Sequence, residues 1–421
     1  MNTLAKVRGM RDLYPQEYSV IRRLEQVWTT IGSSYGYEEY EGPILESIEL
    51  YLQKSSEELI NKQSYTVVDR KGKTLLMRPE LTPSLARMIA QKEQELVFPI
   101  RWQSFGQFFR YEKPQRGRTR AFYQWNLDLI GSESMLADLE VLLIAQRSLA
   151  GLGLTSGDVT IRISNRRVLS DIMTQQLGIS ESIIPKVYPV LDRLDKVGAE
   201  VGIASLVEEG IAPSTAQKLI EQIACGDWDT DPWFTDLKHY LDEAGVTEWF
   251  GVDLRIIRGL DYYTGLVFEA WSQEGLVRAL FGGGRYDGLA ELAGSSRRLP
   301  AVGFAVGDVA ITEVLREKGL LLESASAPVD VLVTVFDPDT ATDAIRTADA
   351  LRRGGLRVNV YPDGTRKLTK QFDYARRAGI RFVAIIGPEE MSNGLVSAKD
   401  LVTGEQRTGT VEECGRWIAI S

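Results

Sequence analysis

A single histidine, His239, occurs among the 421 residues. That scarcity excludes a Ser-His-Asp triad, a histidine-rich metal site or a histidine general base, unless His239 itself carries the chemistry. The run Asp236-Leu237-Lys238-His239-Tyr240-Leu241 puts it at an exposed position of a helix. Catalysis must then rest on arginines, carboxylates and a metal that arrives with the substrate. Cysteine is nearly as scarce. Cys225 and Cys414 stand far apart and outside any metal-ligand spacing, so neither a disulfide framework nor a zinc site is indicated. No apolar run reaches the ~18 residues that would span a bilayer, and residues 1–9 lack the apolar core of a signal peptide. The chain reads as a soluble cytoplasmic protein with no membrane partner. An excess of positive charge is missing too. The net charge of −9 argues against a surface coated for polyanions, though a local basic patch can still grip one.

What is present is ordinary globular material, 44% hydrophobic and 25% charged, and the length suggests two or three domains. Residues 18–32 carry Ile21, Leu24, Val27, Trp28 and Ile31 at helical spacing and end on a glycine. A strand over 35–45 follows, closing on Pro43. Sheet-like runs at 64–69, 74–78, 103–110 and 121–129, separated by Gly and Pro, predict successive hairpins and an antiparallel sheet. Residues 135–150 and about 165–250 turn helical, and strand character returns at 253–268, 276–281 and 302–306, so the helices interrupt one sheet. The small-residue stretch 324–328, Ser-Ala-Ser-Ala-Pro, is the best domain boundary. Beyond it a strand at 329–336, a helix at 340–353, a strand at 357–361, a helix at 367–378 and a strand at 382–386 predict a small parallel or mixed sheet flanked by helices. The fold class is α/β: an α+β catalytic domain over 1–325 with a helical insertion at about 165–250, then an α/β domain over 328–421.

Several runs carry more polar chemistry than packing needs. Arg258-Gly259-Leu260-Asp261-Tyr262-Tyr263-Thr264-Gly265 precedes the apolar Leu266-Val267-Phe268. Arg101, Arg110, Lys113, Arg116, Arg118 and Arg120 stand against one acid, Glu112. Gln124 and Asp128 lie four apart on a strand and share a face. Gly282-Gly283-Gly284-Arg285-Tyr286-Asp287-Gly288 is glycine-rich but has neither the P-loop ending nor dinucleotide-fingerprint spacing.

Together these runs resemble the histidyl-tRNA synthetases over nearly the whole chain. The 258–269 run is similar to their histidine-specific signature, and Arg8-Gly9-Met10-Arg11-Asp12 to their opening. The helix-strand-Pro43 unit resembles motif 1 of class II aminoacyl-tRNA synthetases, which implies a homodimer on an antiparallel class II sheet. Phe109-Arg110-Tyr111-Glu112, a loop to Arg118, and Phe122-Tyr123-Gln124 resemble motif 2. By that resemblance Arg110 bridges the α-phosphate and a carboxylate, which suits its planar fork. Glu112 contacts adenine, and the loop with Arg118 closes on the phosphates of ATP and the acceptor end of tRNA.

Arg78-Pro79-Glu80-Leu81-Thr82-Pro83 resembles the loop that holds the α-amino group; N-capping by Thr82 is the competing explanation. Gln124, Asp128, Tyr262 and Tyr263 are implied histidine contacts, with Asp128 and Tyr263 on the ring nitrogens. Arg258 is implied as a second cation on the α-phosphate during catalysis. Motif 3 departs from the family: after Gly307 the expected Leu-Glu-Arg is replaced by Asp308-Val309-Ala310. The arginine missing at Ala310 requires a substitute, for which Arg87 and Arg285 are candidates, or else nucleotide binding is weakened or lost. The C-terminal domain resembles an anticodon-binding module, and Arg366, Lys367 and Lys370 near a helix start suit phosphate.

The implied activity is histidine–tRNA ligation: histidine and ATP, with Mg²⁺ on the phosphates, give histidyl-adenylate, which passes to tRNA(His). No metal site of the protein's own is expected. The alternative is a non-catalytic synthetase-like subunit that senses histidine and regulates ATP phosphoribosyltransferase, a reading that the missing arginine favours.

Overall fold

The computed structural model describes residues 4–52, 63–257, 263–275, 279–288, 291, 294–321 and 329–421. The expected linker at 324–328 falls outside them. The chain divides into two compact units, Met1–Leu321 and Leu322–Ser421.

The first unit is built on an eight-stranded sheet in the order β1-β5-β6-β11-β10-β9-β7-β8. Its strands are β1 (Glu38–Glu39), β5 (Ile100–Phe109), β6 (Ala121–Ile130), β7 (Val159–Asn165), β8 (Phe250–Val252), β9 (Leu266–Ser272), β10 (Phe281–Arg285) and β11 (Ala301–Gly307). Pairing is antiparallel except at the two edges, where β1 runs parallel to β5 and β7 to β8. Parallel neighbours require a long crossover, and the helical insertion is that crossover between β7 and β8. Its helices include Pro213–Ala224, which buries Leu219, Ile220 and Ile223, and Pro232–Glu243, which buries Phe234, Leu237 and Leu241.

The sequence pattern and the structure differ at the second expected strand. Residues 35–45 do not form one strand. Only β1 joins the large sheet; Gly42 and Pro43 turn the chain away, and β2 (Leu45–Ser47) pairs with β4 (Thr74–Met77), which also pairs with β3 (Tyr65–Val68) in a separate three-stranded sheet. Proline offers no N–H to continue the ladder. The returning strands also shift: β9 begins at Leu266 and β10 at Phe281, while 258–262 and 276–278 lie outside the described residues.

Side chains alternate across the sheet. The odd residues of β6, Trp125, Leu127 and Leu129, join an apolar core with helices Pro15–Ser34, Met135–Ala150 and Asp308–Glu317. Helix Pro15–Ser34 starts on a proline that suits its first turn and buries Ile21, Leu24 and Trp28. Gln103 is buried beneath it with its amide fully used, donating to Thr29 O at 3.2 Å, Ser33 Oγ at 3.1 Å and Tyr37 O at 3.3 Å while accepting from Trp125 Nε1 at 3.0 Å. The even residues of β6, Gln124, Asn126 and Asp128, point to the other face.

The second unit is a five-stranded mixed sheet in the order β13-β12-β14-β15-β16. It comprises β12 (Val331–Val333), β13 (Val358–Val360), β14 (Phe382–Ile385), β15 (Val396–Asp400) and β16 (Gln406–Gly409). The first three are parallel, and helices Ala341–Arg353 and Leu368–Arg377 make the connections. The antiparallel β15 and β16 and the closing helix Val411–Ile420 extend the layout read from the sequence.

Candidate active site

Asp128 lies mid-strand on β6 with its side chain 5% exposed. Burial pushes its carboxyl up to about 7, against a hydrogen bond donated by the Tyr286 hydroxyl. Across the strand Asp128 is paired with Gly303, and Gly303 with Gly284. A Cβ at Gly303 would overlap Asp128 Oδ1, and one at Gly284 would press on the Tyr263 ring. Two glycines facing each other across neighbouring strands thus form a floor with Asp128 at one end and Tyr263 at the other. Tyr263 is 7% exposed and packs with Tyr286 and Val267.

Gln124 and Asn126 continue the same row, and Asn126 Nδ2 is buried with no hydrogen-bond partner. The Tyr40 hydroxyl, whose ring packs on Trp102 with centroids 5.4 Å apart, is likewise without one. Buried donors left unsatisfied are costly, commonly 1–3 kcal/mol each. Gathered beside a buried carboxyl, they describe a surface prepared for a polar ligand. Asn126, Tyr40 and Tyr286 were missed as site residues in the sequence. For Asn126 the signal was there, since period two places it between Gln124 and Asp128; for Tyr40 and Tyr286 only tertiary pairing could show it.

The polar row ends on the motif 2 hairpin. Arg110 follows β5, its amide bonded to Arg120 O at 2.9 Å. Its Nε donates to Pro79 O at 3.0 Å, and its guanidinium lies 5.4 Å from the Phe122 ring centre. This joins the arginine to the 78–83 loop. Arg78 fastens that loop from beneath: 1% exposed, it donates to Gln107 O at 3.0 Å, Gly42 O at 2.9 Å and the Glu41 carboxylate. Gly106 makes the room, because a Cβ there would strike the Arg78 guanidinium. Glu80 and Leu81 are buried, and Tyr51 donates to Glu80 O at 3.1 Å. Thr82 is the first residue of helix Thr82–Lys92 rather than its cap, and Leu81 at the cap makes no side-chain bond, so capping does not account for Thr82. Glu112 accepts from Arg118 at 3.0 Å, and Arg116 reaches Glu313 and Glu317 on helix Asp308–Glu317.

Two expectations need correction. Arg285 does not face the polar row. It lies in register with Val302, on the core side, where it pairs with Asp138 at 2.8 Å and donates to Ser132 O at 2.7 Å. A 2%-exposed arginine so engaged holds the start of helix Met135–Ala150 and offers nothing to ATP. Arg87, the other substitute for the missing motif 3 arginine, is taken by Glu46 at 2.6 Å and Gln91 at 3.0 Å. Arg258 and Tyr262 lie outside the described residues. His239 is exposed on helix Pro232–Glu243, beside a cleft of about 490 Å³ shared with Asp227 and Asp242. Asp242 is already bound by Lys238 at 2.7 Å and Thr247 at 2.6 Å. Among the described residues no group of three or more His, Cys, Asp or Glu side chains is placed to hold a metal, and no helix is long and apolar enough to cross a membrane.

An antiparallel sheet with parallel edges, carrying a motif 2 hairpin over a polar row, is the architecture of a class II aminoacyl-tRNA synthetase. The fold is shared with the crystal structure of histidyl-tRNA synthetase from Nostoc sp. PCC 7120, at a TM-score of 0.82 and 27% identity, each chain covered in full. The family model for histidyl-tRNA synthetase matches residues 9–230 and 233–310, and that for an anticodon-binding domain matches 330–419. The chloroplastic/mitochondrial histidine–tRNA ligase of Arabidopsis thaliana is 34% identical over 95% of this chain and 83% of its own length. The histidine–tRNA ligase of Halobacterium salinarum (strain ATCC 29341 / DSM 671 / R1) is 35% identical over 96% of both. The chain belongs to the histidyl-tRNA synthetase family.

Proposed function

We propose that this protein is a histidine–tRNA ligase that activates histidine with ATP and transfers the histidyl group to tRNA(His). The observation that carries the reading is the glycine floor between Asp128 and Tyr263. A ring with two polar nitrogens can be met there by a carboxyl and a phenol, and a site built on such bonds rejects side chains that cannot make them. Gln124 and Glu80, with Thr82 beside Leu81, serve the α-amino group. Arg110 clamps the histidine carboxylate against the α-phosphate, with Arg258 as its partner in catalysis. Glu112 takes adenine and Arg118 the terminal phosphates, Mg²⁺ entering as their counterion.

The reaction needs no protein nucleophile. The histidine carboxylate attacks, and the protein contributes proximity and charge stabilisation. The second unit, with Arg366, Lys367 and Lys370 exposed around the start of helix Leu368–Arg377, serves as the anticodon-binding domain. The protein works as a cytoplasmic homodimer through the segment around Pro43. Catalytic domain and anticodon domain correspond to 1–325 and 328–421.

Histidine-dependent ATP–pyrophosphate exchange on the purified protein, followed by charging of tRNA(His), tests this reading. Exchange that requires histidine and falls in Arg110→Ala supports it. One observation favours a second reading: Arg87 and Arg285, the two substitutes considered for the arginine missing at Ala310, are both engaged elsewhere. Histidine binding without exchange would make the protein a histidine-sensing regulatory subunit instead.

A further inference from the structure

The motif 3 departure has a counterpart at the other end of the unit. Asp308, standing where the family pattern has leucine, is fully buried. A carboxylate in that position needs partners, and two segments supply them. Arg11 Nη2 lies 2.8 Å from Oδ2, and the Tyr123 N–H donates to Oδ1 at 2.8 Å. Arg11 also donates through Nε to Ala121 O at 3.1 Å. Just before it, the Arg120 N–H donates to Gly9 O at 3.0 Å and its Nη1 to Arg8 O at 3.1 Å. Gly9 has φ +85°, and a Cβ there would run into the Arg120 side chain, so the close approach depends on glycine. Residues 8–11 therefore lie against 120–121, where the motif 2 hairpin re-enters β6.

The contacts continue to the nucleotide residues. Arg120 donates through Nε to Glu112 O at 3.1 Å, stacks 4.0 Å from the Tyr111 ring centre, and accepts the Arg110 amide at 2.9 Å. Helix Asp308–Glu317 packs into the core through Ile311 and Val314, so the Arg11–Asp308 pair at its start sits on the core side of the sheet.

We propose that Arg11 and Asp308 are positioning residues for the nucleotide half of the site: the buried pair fastens residues 8–11 and the start of helix Asp308–Glu317 to the base of the motif 2 hairpin, and so holds Arg110 and Glu112 for ATP. This rests on the ATP reading of that hairpin given above. It assigns a use to Asp308 in a chain whose motif 3 brings no arginine of its own.

The test uses the full chain and the variants Arg11→Met, Asp308→Leu and the double variant, with ATP affinity measured by calorimetry and KM for ATP and histidine by pyrophosphate exchange. Arg11→Met should weaken ATP at least ten-fold and leave histidine KM within two-fold. Asp308→Leu should weaken ATP less, because leucine suits the apolar surroundings and Arg11, 22% exposed, can turn to water. The double variant should be within about two-fold of Asp308→Leu alone, since the arginine then keeps only its bond to Ala121 O. Should Arg11→Met fail to fold, Asp308→Leu and the double variant carry the comparison. Equal ATP affinity in the unaltered protein and Asp308→Leu overturns the inference even where exchange is active. So does a parallel rise in both KM values, which marks general loosening. Absence of exchange in the unaltered protein overturns the ligase reading instead, while calorimetry still decides the pair.

Discussion

On the core face of the eight-stranded sheet, Trp28 stacks on Trp125 with centroids 6.0 Å apart, and Trp125 meets Phe304 edge-on at 5.3 Å. On the opposite face of the same strands, Asn126 and Tyr40 hold donors without partners and Asp128 keeps its carboxyl in an apolar setting. Even the charged groups differ. The core-side arginine, Arg285, is matched to Asp138 and to backbone carbonyls, so nothing is left for a ligand. The core face matches its buried arginine within the protein, while the site face gathers open donors beside a buried carboxyl. A strand can do both because neighbouring side chains point opposite ways, so one sequence stretch carries a core and a site at once.

Substitutions on the two faces should separate stability from function. The largest effect belongs to the core face. Asp138→Ala leaves the buried Arg285 with only the more distant Asp287, at 3.6 Å, as a carboxylate partner and should cost about 3 kcal/mol of stability in denaturant unfolding; a loss below ~1 kcal/mol would mean that Asp138 is not its main partner. Next is Arg110→Ala, which should lower kcat for exchange about 100-fold, some 3 kcal/mol of transition-state stabilisation, with little change in unfolding. A change confined to the unfolding midpoint would return Arg110 to the structural side.

Asp128→Asn sharpens the contrast through pH. Burial raises the native carboxyl to about 7 from an ordinary value of 3.8. The folded protein therefore binds the extra proton between those values, and this group's contribution to stability falls as pH rises from about 4 through 7. Asparagine has no charge to bury. The variant should gain about 3 kcal/mol relative to the unaltered protein on going from pH 5 to pH 8, while its histidine KM rises. A pH-independent difference would show that Asp128 does not titrate there. The smallest effect is expected from His239→Ala, exposed on its helix: less than about 0.5 kcal/mol in stability and no change in exchange. A loss of activity would put chemistry in the helical insertion.

Much of the candidate site was legible through the family resemblance, which rests on residues at fixed offsets. Arg110 and Glu112, Gln124 and Asp128, and the 78–83 loop are local runs, and period two alone puts Gln124 and Asp128 on one face. The break after Gly42 was not legible: the pattern of 35–45 suits one strand, and only the pairing partners available to Leu45–Ser47 send it to a second sheet. The role of Arg285 was misread for a related reason. Its place in a glycine-rich run is the same whichever way it points, and the direction follows from register with Val302.

The sequence by itself carried the resemblance to the family through its motif runs, indicated the two-unit layout through its change of pattern near residue 325, and confined any histidine-based chemistry to His239. The tertiary structure alone decided which buried polar groups are closed and which are open. It placed Gly303 and Gly284 between Asp128 and Tyr263, brought Tyr286 to Asp128, and joined Arg11 to Asp308 across nearly three hundred residues of chain. The physical reason is that a polar group's chemistry depends on whether a partner stands within hydrogen-bond reach after burial, and between residues far apart in the chain that distance is set only by strand register and packing.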